Sequence, residues 1–147
     1  ARSTERPPAW EPEALVHAVE TAAAIPGSSV VWENKTLVSV WAEDAGRWLE
    51  VKTDDWRHFR MRFRVPNRSF NGDELRRRLG LLPFDQVDDI PVGGRRARVR
   101  VQGHAGDGLV HVDVTGCLRR EIDNEEFARF VREAHDAFVS AAREAGE

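Results

Sequence analysis

The clearest candidate for binding chemistry is an alternation of arginine with apolar residues in two separate stretches, HFRMRFRVP at 58–66 and RRARVRV at 95–101. Side chains along a β-strand alternate between its two faces, so arginines two positions apart project in the same direction. If both stretches belong to one sheet, we expect six guanidinium groups on the face opposite the core, those of Arg60, Arg62, Arg64, Arg96, Arg98 and Arg100.

Tryptophan is the second candidate, because the stretch VVWENKTLVSVW at 30–41 carries one at each end of a predicted turn. Alternation alone leaves the inward side of this hairpin ambiguous, since Val30 and Val31 are both apolar. We predict that Trp32 closes the apolar layer and that Trp41 lies at the exposed margin of the sheet. An arginine stacked on an exposed Trp41 would contribute about 0.5–1 kcal/mol. We expect the open face also to carry Trp48, Glu50, Lys52, His111 and Asp113.

This surface has three interpretations. A basic sheet face with an aromatic residue is typical of proteins that hold a phosphate backbone and stack unpaired bases. Alternatively, acidic neighbours such as Glu50 and Asp113 neutralise the arginines and no ligand binds. The third interpretation is an anionic small molecule held between the sheet and a long loop. The leading hypothesis is a non-catalytic binding domain that contacts nucleic acid or a nucleic-acid-processing partner.

The charge distribution bears on these interpretations. The net charge of −3 opposes long-range attraction to nucleic acid. Residues 57–100 nevertheless hold twelve arginines against five acids, so positive charge is concentrated in the middle of the chain. Arginine outnumbers lysine twenty to two, which suits phosphate binding but is also what a GC-rich genome produces.

Motifs for catalysis or cofactors are missing from the sequence, which contains no nucleotide-binding glycine loop, zinc-protease motif or nucleophile elbow. We therefore predict no catalytic residue, no metal ligand and no cofactor, and a hydrolase or transferase ranks third. A metal site that combines His58, His111 and Asp113 would require them to meet in space. The lone Cys117 fits a reducing cytoplasm and a small core position. No apolar run is long enough to span a membrane.

Hydrophobic periodicity and turn residues predict an α+β fold: an antiparallel sheet of about six strands with helices on one face, in the order α-ββββ-α-ββ-α. Residues 1–10 form a linker or tail, which also suits a fragment of a longer protein, and 11–147 form one domain. The segments are helices at 11–24, 71–80 and 123–144, and strands at 29–33, 36–42, 47–53, 57–65, 96–102 and 109–115.

Two helix starts carry capping signatures. Asn71 is followed three residues later by Glu74, and Asp123 is followed by Glu126. Both pairs match the pattern in which an N-cap side chain and a glutamate satisfy the first free backbone N–H groups. We therefore predict Asn71 and Asp123 as the N-caps.

The chain resembles two bacterial families. The residues Gly27, Trp32, Asn34, Leu37, Val38 and Trp48, with the closing helix, are similar to an accessory C-terminal domain of UvrA-type excinuclease ATPase paralogues. That resemblance implies an association with DNA repair but no ATPase activity. The opening helix, the Pro-Gly break, the antiparallel strands and the closing helix are similar to YjbR-like small domains. This second resemblance implies a frataxin-like α+β fold and a role in DNA binding.

Overall fold

A computed structural model describes residues 7–87, 96–106 and 108–146. Arg95, which begins the RRARVRV stretch, and residues 88–94, which precede it, lie outside these ranges. The elements are α1 (Pro12–Ala23), β1 (Ser28–Asn34), β2 (Leu37–Ala42), β3 (Gly46–Lys52), β4 (Phe59–Pro66), α2 (Gly72–Leu79), a single 3-10 turn at Phe84–Gln86, β5 (Val99–Gly106), β6 (Leu109–Gly116), α3 (Arg119–Ile122) and α4 (Glu125–Ala145).

The six strands form one antiparallel sheet in the order β1-β2-β3-β4-β6-β5. Short turns connect β1 to β4, so these strands lie side by side in chain order. The chain then crosses through α2 to the far edge, and β6 returns between β4 and β5. The predicted α+β class and the order of its elements are confirmed.

Helices cover one face of this sheet, which we call the inner face, and the opposite face is the open face. On the inner face, β4 buries Phe59, Met61, Phe63 and Val65 completely, while its intervening residues are half-buried. The ring of Phe63 packs edge-on against Phe130 of α4, with 4.8 Å between the ring centroids. Alternation in β4 therefore has the period and direction that the sequence predicts.

Trp48 departs from the expected alternation. Between β2 and β3 the register shifts after Val40↔Leu49, so that Trp41 pairs with Arg47 and Trp48 is an extra residue. Such a bulge interrupts the alternation of side chains. Trp48 is fully buried against Phe63 and His135 instead of lying on the open face.

The two tryptophans of the first hairpin are both exposed. Trp41 is 39% exposed, as expected of a residue at the margin. Trp32 is 56% exposed, so the prediction that it closes the core is wrong. It pairs with Val38 and shares the inner-face side of the sheet, but it lies on the edge strand β1. Trp32 is exposed because an edge strand has a neighbouring strand on one side and solvent on the other. Hydrophobic periodicity does not show which strand lies at an edge.

The helix starts give one confirmed and one corrected cap. The side chain of Asn71 accepts a hydrogen bond from the Glu74 N–H at 3.0 Å, as predicted. At the last helix the N-cap is Asn124, which accepts from the Phe127 N–H at 2.9 Å, and not Asp123. The short helix α3 ends at Ile122 and shifts the start of α4 by one residue. Cys117 directly follows β6 and is buried, as expected.

Trp10 joins the core from the segment that precedes α1. Its ring packs edge-on against Phe59 at 5.5 Å, and its Nε1–H donates to the Asp55 carbonyl oxygen at 3.1 Å. Ala9 N–H donates to the Trp56 carbonyl oxygen. This segment therefore supports the β3–β4 loop. In the parts of the chain that the structure describes, no helix has the length and apolar character needed to cross a membrane.

Gly116 provides a test of how tightly the inner face is packed. It pairs with Phe59, and a Cβ atom at this position would lie 2.5 Å from the Phe59 ring. We expect Gly116→Ala to lower the free energy of unfolding by about 1–3 kcal/mol, because the buried ring has no room to move. Urea denaturation measures this change.

The matched control is Gly72→Ala at the first position of α2, where a Cβ would make only ordinary contacts. Its stability should stay the same or rise by up to about 1 kcal/mol. Equal effects of the two substitutions would contradict the packing described for Gly116.

Candidate anion-binding groove

The open face carries one row of side chains that crosses all six strands. Cross-strand pairing places these residues directly beside one another, and β6 lies between the two arginine-bearing strands. The arginines of β4 and β5 are therefore separated by the acid of β6. The row consists of Val31, Ser39, Glu50, Arg62, Asp113 and Arg100.

Arg62 is neutralised at the centre of this row. Its Nε and Nη2 donate to the two carboxylate oxygens of Asp113 at 2.8 and 2.9 Å, and Gln102 donates to the same carboxylate. Burial opposes ionisation of Asp113, but these hydrogen bonds outweigh it and keep the pKa of the carboxyl below its usual value. Arg62 is thus occupied by a protein carboxylate.

Arg98 is buried and is not available on the open face. Strand β5 begins at Val99, not at 96 as predicted, so Arg98 precedes it. Its guanidinium makes two hydrogen bonds to Glu121, at 2.6 and 2.8 Å, and lies 4.2 Å from the Phe84 ring centroid. It also donates to the Leu82 carbonyl. The segment 81–87 packs over this end of the sheet and covers the charge.

The side chain of Arg64 contacts the end of β3 and helix α4 and does not lie with the other open-face arginines. Its Nη1 donates to the Arg47 carbonyl oxygen at 3.0 Å, and its guanidinium lies 5.8 Å from the Phe138 ring of α4. The pairing of β3 with β4 ends at Leu49↔Phe63, just before this position. Arg64 therefore helps to join the end of β3 to α4, a structural role.

Arg60, Arg100 and Arg96 are the remaining predicted arginines. Arg60 and Arg100 are half-buried on the open face and form no ion pair with any residue that the structure describes. Arg96 is exposed but precedes β5. Trp41 shares the open face near the opposite edge, beside β1, and does not stack on any of these arginines among the described residues. The sequence predicts six arginines side by side on the open face. Among the described residues, Arg60 and Arg100 are the two that lie on its strands without an ion pair.

A groove of about 600 Å³ lies at the end of the open face where β3 leaves the sheet and β4 enters it. Arg60 and Lys52, paired across these two strands, lie on its sheet side. No described residue forms a hydrogen bond with the buried Arg60 Nε or an ion pair with the Arg60 guanidinium. Because no described carboxylate neutralises Arg60, its guanidinium can bind an anion that enters the groove. The other lining residues are Asp54, Asp55, Trp56, Arg57 and His58.

The β3–β4 loop forms the opposite wall of the groove through a local ion pair. Arg57 donates from Nε and Nη2 to the Asp55 carboxylate at 3.0 and 2.8 Å, and its backbone N–H also donates to Asp55. The hydrogen bonds from Arg57 lower the pKa of Asp55 to about 2. Three cationic side chains then line the groove against two carboxylates. Because Asp55 is bound to Arg57, Lys52 and Arg60 outweigh Asp54.

His58 connects the groove to the segment 81–87. Its ring is stacked on Phe84 with the centroids 5.5 Å apart and the planes 7° from parallel. Burial lowers the pKa of His58 below its ordinary value, and Arg57 and Arg98 act in the same direction against Asp55. Its Nε2 is 3.8 Å from the Asp55 carboxylate, too far for a hydrogen bond. His58 therefore contributes a neutral aromatic wall.

The metal site considered from the sequence does not form. Among the described residues, no group of three histidine, cysteine or acidic side chains could hold a metal ion. The alternation in the sequence identified Arg60 but gave no indication of the loop residues that line the groove with it. Asp55, Trp56 and Arg57 therefore join the site only in three dimensions. The Asp-x-Arg spacing of Asp55 and Arg57 is the one local signal that could have indicated their ion pair.

Comparison with known proteins adds no relative, since no protein-family model, curated protein or solved structure matches the chain. The resemblances to the UvrA-associated domain and to YjbR-like domains stay expectations.

Because Arg98 and Glu121 form a buried ion pair, we expect substitution of Arg98 to lower the stability of the protein strongly. The two side chains are 1% and 11% exposed, so Arg98→Met leaves a carboxylate buried without its partner. We expect a loss of about 3–5 kcal/mol in the free energy of unfolding, measured by urea denaturation.

Arg119→Met serves as the control for this substitution, because Arg119 and Asp123 form an ion pair in which both side chains are 52% exposed. A pair of this kind contributes at most about 1 kcal/mol. A loss below 1 kcal/mol for Arg98→Met would mean that Arg98 is not held as described.

The lowered pKa of His58 predicts that the folded protein is less stable in mild acid. The unfolded chain binds a proton at the ordinary histidine pKa of about 6.5, whereas the folded chain resists protonation of His58. Below that pH the unfolded state binds more protons, so stability decreases as the pH falls from 7.5 to 5.5. His111 acts in the same direction, because burial and Arg62 lower its pKa as well.

We expect His58→Phe, which preserves the stack on Phe84, to make this dependence shallower. Adding His111→Gln should flatten it further. Urea denaturation at the two pH values measures the difference. A pH dependence of His58→Phe equal to that of the wild type would exclude His58 as a source.

Proposed function

We propose that this chain is a non-catalytic binding domain that holds a small organic phosphate in the groove between the open face and the β3–β4 loop. The observation that carries the proposal is the pair Lys52 and Arg60, which lie side by side on the sheet, line the groove and form no ion pair with any described residue. Guanidinium and ammonium groups bind phosphate oxygens strongly, and guanidinium can offer two parallel N–H donors.

The dimensions of the groove support a small ligand. Pockets of roughly 300–1,000 Å³ hold cofactor-sized and drug-sized molecules, and this groove has about 600 Å³. Trp56, 36% exposed, is part of the loop wall of the groove.

Binding fits the groove better than catalysis does. The strongest candidate base, Asp55, is bound by Arg57 and has a pKa of about 2, far from the near-neutral value that suits a general base. Among the described lining residues there is no serine, threonine or cysteine that could act as a nucleophile. The groove therefore supports recognition of a phosphate without a reaction on it.

An extended nucleic-acid surface has less support than this groove. Its arginines would have to act together along the sheet, yet Arg62 is bound to Asp113 and Arg98 to Glu121. A backbone that runs across the open face would also meet Glu50. Titration of the chain with a small monophosphate and with an oligonucleotide distinguishes the two proposals.

The test is isothermal titration of the full chain with adenosine 5′-monophosphate, adenosine and a single-stranded 12-mer oligodeoxynucleotide at low salt. We expect the monophosphate to bind and adenosine not to bind. Arg60→Ala should weaken binding of the monophosphate about tenfold or more, since a charge-assisted hydrogen bond contributes about 1.5–3 kcal/mol.

Arg77→Ala is the matched control, because Arg77 is an exposed arginine on α2 and the substitution removes the same charge. It should leave the affinity unchanged. Failure of every phosphate probe to bind, or equal affinity of Arg60→Ala and wild type, would overturn the proposal. Oligonucleotide binding that depends on Arg62 and Arg100 but not on Arg60 would favour the extended surface in its place.

A further inference from the structure

The strand β1, at the edge of the sheet that the structure describes, has a row of backbone groups that face away from its neighbour β2. The ladder begins with Glu43 N–H donating to the Gly27 carbonyl oxygen, and antiparallel hydrogen bonding then alternates residue by residue as far as Trp32, before a bulge at Glu33. Ser29 and Val31 therefore bond to β2, whereas the N–H and C=O groups of Val30 and Trp32 face outward. The bond from Thr53 N–H to the Thr36 carbonyl oxygen gives the same alternation from the β3 side.

The side chains of this edge are apolar and exposed. Val31 is 42% and Trp32 is 56% exposed, and Trp41 on the neighbouring strand is 39% exposed. Protected edges usually carry charges or proline, or are covered by another element. At the other edge of the sheet, Arg76 of α2 donates to the Val99 carbonyl oxygen at 3.0 Å. Among the described residues, no side chain bonds to the outward groups of Val30 and Trp32.

The sequence of β1 is complementary to itself in one antiparallel register. With Val31 opposite Val31 of a second copy, Val30 meets Trp32 twice, and these are the residues whose backbone groups face outward. Glu33, the one charged residue of β1, lies at the bulge that ends the regular part of the strand, and in this register it is nearest Ser29 and not another carboxylate. A shift of the twofold axis by one residue in either direction places Trp32 opposite Ser28, or Val31 opposite Glu33. The Val31-centred register therefore matches both hydrogen bonding and charge.

We propose that two copies of this chain associate through β1, joining their sheets into one antiparallel sheet of twelve strands. Each copy contributes Val30, Val31 and Trp32 to the contact. The interface is independent of the phosphate proposal, because β2 separates β1 from Lys52, β2 and β3 separate it from Arg60, and neither residue is part of the contact.

The test is sedimentation equilibrium of the full chain over a wide concentration range. We expect the mass to rise with concentration from 16.7 kDa toward twice that value. Val31→Lys should remain monomeric, because it places two like charges directly opposite each other. Val16→Lys is the matched control: Val16 is 52% exposed on α1 and away from the edge, and this variant should associate like the wild type.

A second measurement keeps the test decisive if Val31→Lys fails to fold. Amide hydrogen exchange of the wild type should slow at Val30 and Trp32 as concentration rises, while Ser29 and Val31, already bonded to β2, change little. A wild-type chain that stays monomeric at every concentration would overturn the proposal. Equal association of Val31→Lys and wild type, or exchange at Val30 and Trp32 that does not depend on concentration, would also overturn it.

Discussion

The structure depends on the burial of one side of β4. Phe59, Met61, Phe63 and Val65 all lie against the helical layer, and together they fix the rotation of the strand about its axis. A slip of one residue would exchange this apolar set for the arginines, so the register has no near alternative. Because β4 pairs with both β3 and β6, its orientation is passed to the neighbouring strands through the ladder. The existence of an open face, and the presence of Arg60 and Arg62 on it, follow from this one constraint.

Which positive charges remain available is decided by carboxylates from distant parts of the chain. Asp113 reaches Arg62 because β6 inserts between β4 and β5, and Glu121 reaches Arg98 because α3 folds back at the end of β6. Within a partly buried, lower-dielectric environment these pairs are held firmly, unlike exposed pairs that solvent screens. Lys52 and Arg60 differ because the adjacent loop directs its own carboxylate, Asp55, toward Arg57. The positive groove, together with Arg100, is thus what remains after Arg62 and Arg98 are paired with carboxylates.

The sheet has two different kinds of surface, one beside the β3–β4 loop and one along the edge strand β1. At the β3–β4 loop the surface is concave and charged, and the N-terminal segment supports it through the Trp10 and Ala9 hydrogen bonds. At β1 the surface carries exposed apolar side chains, and a row of its backbone groups faces outward, where a further strand could pair with them. A ligand site and an assembly site of these kinds can operate in one small domain because β2 lies between β1 and the groove residues of β3 and β4.

The sequence by itself determined the class of the fold, the order of its elements and the alternation of β4, because these follow from local periodicity and turn chemistry. It also identified Asn71 as a cap and Cys117 as a buried residue. Only the tertiary structure decided the position of Trp48, which a bulge turns inward, and of Trp32, which lies on an edge strand. It likewise decided that Asp113 and Glu121 pair with arginines 51 and 23 residues away in sequence. Ion pairs, bulges and sheet edges arise between segments distant along the chain, so a pattern within one segment does not contain them.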